Sequence, residues 1–185
     1  MLKVRSKDEL QEYVNSGNKV KYVFFWGHQN KGSEVTKSCF SQWYESAFTE
    51  DGVEYLSAEH YMMAEKAKLF GDHEILQKII CARNAGEAKA LGREVRGFDE
   101  DTWVKNRFGI VVAGNLLKFQ QNKGLGMFLL GTNERVLVEA SPVDTIWGVG
   151  LAADNKSIEN PNLWRGLNLL GFALMEVREC LRFGH

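Results

Sequence analysis

The sequence predicts a single α+β domain, mainly helical, with a small antiparallel β element. Three observations lead to this fold class. The chain has 185 residues, a length typical of one domain. Apolar residues recur at helical spacing over most of the chain from Ser57 onward. Before that point, Asp51-Gly52 separates two short β-forming segments, which is a strong signal of a two-residue hairpin.

The first part of the chain combines a short helix with a strand. We expect the helix to run from Ser6 or Lys7 to Asn15, because a breaker of Asn, Ser and Gly residues follows it. Between Val20 and Trp26, both alternating sets of side chains are largely apolar. This pattern predicts a strand that is buried on both faces.

Helical patterns dominate the rest of the chain. A helix with a capped start at Ser57-Ala58-Glu59 is expected to reach about Phe70, and residues 135–140 alternate like one more strand. The other helices are indicated by apolar stripes. These stripes are Ile75, Leu76, Ile79 and Ile80; Ala88, Leu91 and Val95; Trp103, Ile110 and Leu117, in a longer helix from about Asp101; and Leu167, Leu170, Leu174, Val177 and Leu181, in a terminal helix.

Composition and charge exclude several classes of protein. Lys and Arg number 23 against 24 Asp and Glu, and this balance argues against a protein that coats a nucleic-acid backbone. The hydrophobic fraction of 44% is enough to build a core without metal or disulfide support. Cys39, Cys81 and Cys180 lie far apart and show no metal-ligand spacing, so we expect three small buried apolar groups. We expect no metal site and no cofactor.

The sequence shows no targeting or membrane segment. The charged N-terminal residues are not followed by an apolar run of the kind found in secretory signals. No stretch approaches the roughly 20 apolar residues that span a bilayer. We therefore expect a cytoplasmic protein without a membrane partner, and the sequence leaves its oligomeric state open.

The segment from Ser57 to Lys66 contains two candidate catalytic residues. Seven positions bring an α-helix back to nearly the same direction, so Glu59 and Lys66 share a face about 10 Å apart along the axis. They are too far apart to pair directly, but they can flank one bound group. In the competing interpretation, which spacing alone favours, Glu59 only complements the helix N-terminus and Lys66 is a solvated charge.

The segment from Ser141 to Gly150 adds a third candidate. Asp144 precedes Trp147 and a Gly-x-Gly turn, where backbone N–H groups can approach a ligand and the indole offers a stacking face. An ordinary loop with a core Trp and a capping Asp would show the same pattern, and spacing alone favours that interpretation.

Several tryptophans lie where they could stack on a base. Trp43 and Trp147 lie beside glycines or polar loop residues, and Trp103 stands among charged residues near the start of its helix. Aromatic side chains at loop edges suit stacking on a purine or pyrimidine. For Trp26 and Trp164 we expect core packing instead.

Eight segments in the right order carry a family resemblance. They include Ala-Glu-His-Tyr-Met-Met-Ala-Glu-Lys-Ala, at 58–67, and Asp-Thr-Ile-Trp-Gly-Val-Gly-Leu, at 144–151. The other six are residues 24–26, 40–44, 90–93, 114–119, 166–171 and 174–178. The chain resembles the YbiA-like, or NADAR, family from about Tyr22 almost to its end. The resemblance implies a YbiA-like domain over residues 21–185, with residues 1–20 as an N-terminal extension.

The resemblance also implies an activity and a set of site residues. Family members remove a base or amine from C1 of a phosphorylated ribose, and their functional residues match Glu59, Lys66, Trp103 and Asp144. Some members carry an acidic residue where this chain has Val149, which bears on substrate choice. We expect catalysis by Glu59, Lys66 and Asp144. We expect substrate binding by Trp103, Trp147, Gly148, Gln42, Trp43 and Asn168.

The chemistry of C1–N cleavage suits these residue types. Positive charge builds on the sugar as the bond breaks, so nearby carboxylates stabilise the transition state and can activate water. A neutral Lys66 could instead attack the opened sugar aldehyde and form a Schiff base, if burial or a neighbouring charge lowers its pKa. The sequence leaves direct water attack and the covalent route open.

Three functions remain in competition. The first is an N-glycosidase acting on a riboflavin-pathway ribosylamino-pyrimidine or on ADP-ribose compounds. The second is a hydrolase that removes ADP-ribose from guanine in DNA or RNA, so that nucleic acid is a partner only as an ADP-ribosylated substrate. The third is a non-catalytic ADP-ribose-binding module. The carboxylates Glu59 and Asp144 argue against the third, because a binder of an anionic ligand gains nothing from them.

Overall fold

Seven helices make up about half of the structure, a computed structural model that describes residues 4–29, 32 and 34–184. Four short strands accompany these helices, so the mainly helical α+β class is confirmed. The helices are α1 (Lys7–Asn15), α2 (Ala58–Leu69), α3 (His73–Ile80), α4 (Ala85–Arg93), α5 (Glu100–Gln121), α6 (Lys123–Leu130) and α7 (Leu169–Phe183); the strands are β1 (Tyr22–Phe25), β2 (Phe48–Glu50), β3 (Val53–Tyr55) and β4 (Val136–Glu139); and short 3-10 helices cover Lys37–Phe40 and Pro161–Leu163.

The first five helices begin in the same way. In each, a polar side chain just before the first turn accepts a backbone N–H three residues later, which satisfies one of the otherwise unpaired donors there. The start expected at Ser57 is confirmed, and so is the start of α1 at Ser6-Lys7. The capping residues are Ser6, Ser57, Asp72, Asn84 and Asp99.

Helix α2 lies at the centre of the helical layer. Its first seven residues are all buried, and it packs against α3, α4 and α5. Two glycines allow these helices to approach closely, because a Cβ at Gly92 would collide with Met63 and one at Gly114 with Tyr61. A helix that is enclosed on every side has no solvated polar face, so any charged residue in its first turn lies inside the protein.

The strands form two separate pairs. Strands β2 and β3 make the expected antiparallel hairpin, and its turn places Asp51 and Gly52 in the left-handed region at φ 49° and 80°. Strands β1 and β4 pair in parallel, with Phe25 opposite Glu139, although 110 residues separate the two strands along the chain. The sequence analysis did not predict this second pair. Strand β4 is buried from Val136 to Val138 and packs against α7.

Three expectations about burial need correction. Strand β1 is not buried on both faces, because it pairs with a single neighbour and only Phe25 is fully buried. Trp26 is 60% exposed rather than part of the core, since it follows the last paired residue of β1. Cys81 is exposed at the C-terminal end of α3 and Cys180 is half-buried, so only Cys39 is a buried apolar group. Trp164 is a core residue, as expected.

Some elements differ from the sequence expectations at their ends. Helix α6 and the two 3-10 helices were not predicted, and Val95 and Leu167 lie just outside the helices to which their stripes assigned them. Helix α1 contacts the 3-10 helix Pro161–Leu163, and Lys7 Nζ donates to the Trp164 carbonyl at 2.7 Å. Over the residues described, no helix combines the length and apolar character needed to cross a membrane.

Candidate active site

One cavity brings together most of the predicted site residues. It lies between α2, α4, the start of α5, the loop after the first 3-10 helix, and the loop that follows β4. Seven of the nine predicted residues line it, although 105 residues separate the first from the last along the chain. They are Gln42, Trp43, Glu59, Lys66, Trp103, Asp144 and Trp147. Gly148 and Asn168 are not among the residues that line the cavity.

Glu59 projects into the cavity from the first turn of α2. Its side chain is 2% exposed, and Oε1 has no hydrogen-bond partner among the described residues. Burial raises the pKa of Glu59 to about 7, and the nearby Asp144 carboxylate adds to the rise. Lys89, Arg93 and a hydrogen bond from the Trp43 side chain oppose it. Glu59 is therefore a buried carboxyl group that titrates near neutrality, and not a solvated helix-terminal charge.

Lys66 lies two turns further along the same helix. Its Nζ donates to the Gly92 carbonyl at 2.8 Å and lies 4.3 Å from the ring centre of Phe98 and 5.7 Å from that of Trp103. Burial lowers the pKa of Lys66, while Glu100 has the opposite effect. Lys66 is thus a half-buried amine held in place by a carbonyl and two aromatic rings, rather than a freely solvated charge.

Asp144 closes the tight turn after β4. Its Oδ1 accepts the backbone N–H groups of Ile146, Trp147 and Gly148 at 2.8, 2.7 and 3.4 Å. The capping Asp of the competing interpretation is therefore present, and the same side chain lines the cavity. These three bonds hold the carboxyl group in place at the cavity wall.

Gly148 and Asn168 support the cavity from behind. A Cβ at position 148 would lie 2.9 Å from the Glu139 carbonyl oxygen, so the close approach of this turn to β4 requires glycine. Asn168 is fully buried, accepts the Glu139 N–H at 3.0 Å and donates to the Leu137 carbonyl at 2.9 Å. The oxygen and the nitrogen of its side-chain amide therefore both bond to the backbone of β4.

The loop after the first 3-10 helix contributes Gln42 and Trp43. Asn115 on α5 donates to Gln42 Oε1 at 2.7 Å and to the Val111 carbonyl at 2.9 Å, which sets the orientation of both amides. Gln42 Nε2 is consequently left without a partner inside the described structure. Trp43 is half-buried, with Lys89 Nζ 5.7 Å from its ring centre. The loop thus presents one unused donor and one aromatic face.

Three further charged residues line the cavity that the sequence analysis did not identify. Glu139 is the last residue of β4, and burial together with Asp144 and Glu59 raises its pKa to about 8, against the influence of Lys89. The sequence contained a signal for Glu139, because it is a single carboxylate in an otherwise apolar strand. Lys89 and Arg93 lie one turn apart on α4, and no sequence pattern distinguishes them from ordinary surface charges.

Comparison with known protein families identifies the family of this chain. The model of the NADAR domain matches residues 24–182, which is most of the chain. The chain belongs to the NADAR family. Among NADAR relatives, N-glycosidase R617 of Acanthamoeba polyphaga mimivirus is 46% identical over 164 residues, covering 86% of this chain and 95% of the relative. N-glycosidase Npun_R5314 of Nostoc punctiforme is 34% identical, over 78% of this chain and 85% of the relative.

Two further NADAR comparisons bear on the fold and on domain context. The NMR structure of Escherichia coli YbiA superposes with a TM-score of 0.70 at 24% identity and covers 90% of this chain and 88% of YbiA, so the two share a fold. The riboflavin biosynthesis protein VVA0006 of Vibrio vulnificus is 32% identical over 77% of this chain, which corresponds to 35% of its own length.

Proposed function

We propose that this N-glycosyl hydrolase cleaves the C1–N bond of a phosphorylated ribose derivative, either a ribosylamino-pyrimidine of the riboflavin pathway or an ADP-ribose compound. The observation that carries the proposal is the cavity itself, where Glu59, Glu139 and Asp144 face the same space as Lys66. A cluster of carboxylates suits a reaction in which the sugar becomes cationic. The names of the relatives, N-glycosidases and a riboflavin biosynthesis protein, support the same class of bond.

The carboxylates divide into different roles because their surroundings differ. Asp144 is anchored by three N–H groups and stabilises positive charge on the ribose. Glu59, whose pKa lies at about 7, alternates between its acid and base forms at neutral pH. That property suits a group which takes a proton from the attacking water or amine.

Lys66 supplies the nucleophile in the covalent route. Its amine must be neutral to attack C1 of the opened sugar, and burial shifts its pKa in the required direction. The Gly92 carbonyl and the rings of Phe98 and Trp103 keep Nζ at the cavity wall. The resulting imine joins Nζ to C1, and water then releases the sugar and restores the amine.

The phosphate of the substrate is best placed beside α4. Lys89 and Arg93 line the cavity one turn apart, so two cations can bind one anionic group there. Their positive charge also offsets the repulsion that ionised carboxyl groups of the cavity would exert on a phosphorylated ligand. A substrate bound in this way directs its C1 atom toward Glu59 and Asp144.

A second candidate function is removal of ADP-ribose from guanine in DNA or RNA. Trp43 favours it, because Lys89 Nζ lies 5.7 Å and the His28 ring centre 5.6 Å from the ring centre of this half-buried indole. An aromatic ring near an ammonium and an imidazole group is a suitable surface on which an extruded base could stack.

One assay distinguishes these functions. The protein is incubated with a 5-phosphoribosylamino-pyrimidine, with ADP-ribose and with ADP-ribosylated DNA, and release of free base, amine or ADP-ribose is measured. Release from the first substrate supports the riboflavin-type activity, and preferential release of ADP-ribose from DNA supports the second function. The Glu65→Gln variant, altered on the same helix, should retain activity. No release from any substrate would overturn both enzymatic proposals and favour a binding module.

A further inference from the structure

Glu139 is the most unusual charged residue of the cavity. The preceding residues Val136, Leu137 and Val138 and the following Ala140 are all fully buried, so a carboxyl group interrupts a continuous apolar strand. Its Oε2 is buried and has no hydrogen-bond partner among the described residues. An unpaired carboxylate in such a position is costly, which favours the neutral acid.

Most of the charges around Glu139 act in the same direction as its burial. The titratable groups that face it are Asp144 from the following turn, Glu59 from α2 and Lys89 from α4. Two carboxyl groups therefore oppose its ionisation and one ammonium group assists it. Burial is the largest influence, and together these effects raise the pKa of Glu139 to about 8. The side chain thus carries a proton at neutral pH.

The backbone of Glu139 is held from three sides. Its N–H donates to Asn168 Oδ1 at 3.0 Å, its carbonyl accepts the Val149 N–H at 3.0 Å, and it pairs with Phe25 in the parallel ladder. Gly148 packs on the same carbonyl group. The turn after β4 and the start of α7 therefore converge on one residue, an arrangement that keeps its carboxyl group oriented in the cavity wall.

We infer that Glu139 is a further catalytic residue of this site, whose carboxylic acid donates a proton to the leaving nitrogen as the C1–N bond breaks. The inference rests on the proposed function. The electron pair of the C1–N bond passes to nitrogen, the Glu139 proton joins it, and Glu139 becomes a carboxylate. Water then supplies a hydroxyl group to C1, directly or through the imine on Lys66. Glu59 takes the remaining proton of the water and then passes a proton to the Glu139 carboxylate, which restores both groups.

Two probes that share the phosphoribosyl group and differ in leaving group test this role. An aminopyrimidine leaves only after protonation, whereas 4-nitrophenolate leaves as a stable anion. In Glu139→Gln, we expect kcat for the amine probe to fall by about 100-fold or more, and kcat for the nitrophenyl probe to fall less than about 5-fold. Equal losses with both probes would overturn the inference and assign Glu139 to ribose binding. Unchanged kinetics with both would remove it from the reaction.

A measurement without substrate tests the protonation state separately. In protein labelled with ¹³C at glutamate carboxyl groups, the Glu139 resonance is identified by its absence from Glu139→Gln. We expect it to report a protonated acid at pH 6.5, and an ionised group at that pH would overturn the inference. Glu54→Gln, on the exposed face of β3, is the control for labelling and folding. Failure of the wild-type protein to cleave any phosphoribosyl probe would count against the proposed function, whatever this titration shows.

Discussion

The backbone N–H of Glu59 donates to the backbone carbonyl of Gln42 at 2.9 Å. This bond uses one of the free donors in the first turn of α2 to hold the loop that carries Gln42 and Trp43. The carboxyl group assigned to catalysis and the loop assigned to substrate binding therefore form one unit. Changes that loosen the loop should affect the chemistry even when they lie outside the cavity.

Lys118 is the anchor of that loop. It is fully buried, and its Nζ donates to the carbonyls of Cys39 and Ser41 at 2.7 and 3.0 Å. In Lys118→Met both carbonyl groups lose their donor. At about 1 to 3 kcal/mol for each unsatisfied group, we expect a loss of about 2 to 6 kcal/mol in the free energy of unfolding. We also expect lower kcat/KM. Thermal and denaturant unfolding measure the loss of stability. Lys105→Met, at an exposed position of the same helix, is the control. An unchanged Tm in Lys118→Met would contradict the predicted loss.

Glu59→Gln should nearly abolish turnover while the protein remains folded. The amide keeps the size and polarity of the side chain but cannot accept a proton, and proton transfer by one group typically contributes about 100- to 10,000-fold. Single-turnover kinetics on the best substrate measure the loss. Activity equal to that of Glu65→Gln would exclude Glu59 from the mechanism.

The same variant should be more stable than the wild type above neutral pH. The pKa of Glu59 is about 7 in the folded protein, above the ordinary value of 4.5 that applies when the chain is unfolded. The unfolded chain therefore loses its proton first, and wild-type stability falls as pH rises from about 4.5 to 7. Denaturant unfolding at pH 4 should show no difference between the two proteins, and at pH 8 the variant should gain up to about 3 kcal/mol. A difference that is independent of pH would contradict the assigned pKa.

Borohydride added during turnover should attach a reduced sugar to Lys66. Reduction converts an imine into a stable amine, and mass spectrometry of the peptide that contains residues 58–69 would locate it. Lys66→Arg keeps the positive charge but cannot form the imine, so it should give no adduct. Repeated absence of an adduct from active enzyme would favour direct attack by water, and an adduct on Lys89 would move the nucleophile to α4.

The dependence of kcat on pH should be a narrow bell. Glu59 must be ionised to accept a proton, so activity rises as pH passes its pKa of about 7, whereas Glu139 must be protonated and activity falls above its pKa of about 8. Because the two carboxyl groups interact electrostatically, the rising and falling limbs of the pH profile report apparent pKa values of the pair and not of either residue alone. The alkaline limb should appear with the amine probe, and the residual activity of Glu139→Gln on that probe should lose it. A profile that is flat from pH 6 to 9 would contradict both roles.

The sequence was most informative where local chemistry decides the structure. The cap at Ser57, the apolar stripe of α7 and the Asp51-Gly52 turn depend on neighbours within a few residues, and each was predicted from spacing. Family resemblance then supplied Glu59, Lys66 and Asp144, which line one cavity in the structure. Spacing alone had favoured ordinary structural roles for these residues.

Pairing between distant segments of the chain decided the features of the fold and of the site that the sequence did not predict. The parallel contact between β1 and β4 has no local signal, because the two strands are brought together by the helices between them. That contact exposes Trp26 and places Glu139 in the cavity. Gly148 and Asn168 pack on the backbone of Glu139, and their role in substrate binding stays a prediction.

By itself, the sequence determined a mainly helical α+β domain of the NADAR family, with several of its helix starts, its hairpin and the candidate residues Glu59, Lys66 and Asp144. The tertiary structure alone decided which charges share a cavity and how strongly each is buried. The physical reason is that helix caps and turns depend on contacts within one or two turns of chain. A pKa instead depends on solvent exclusion and on charges from distant segments, and both exist only after the chain has folded.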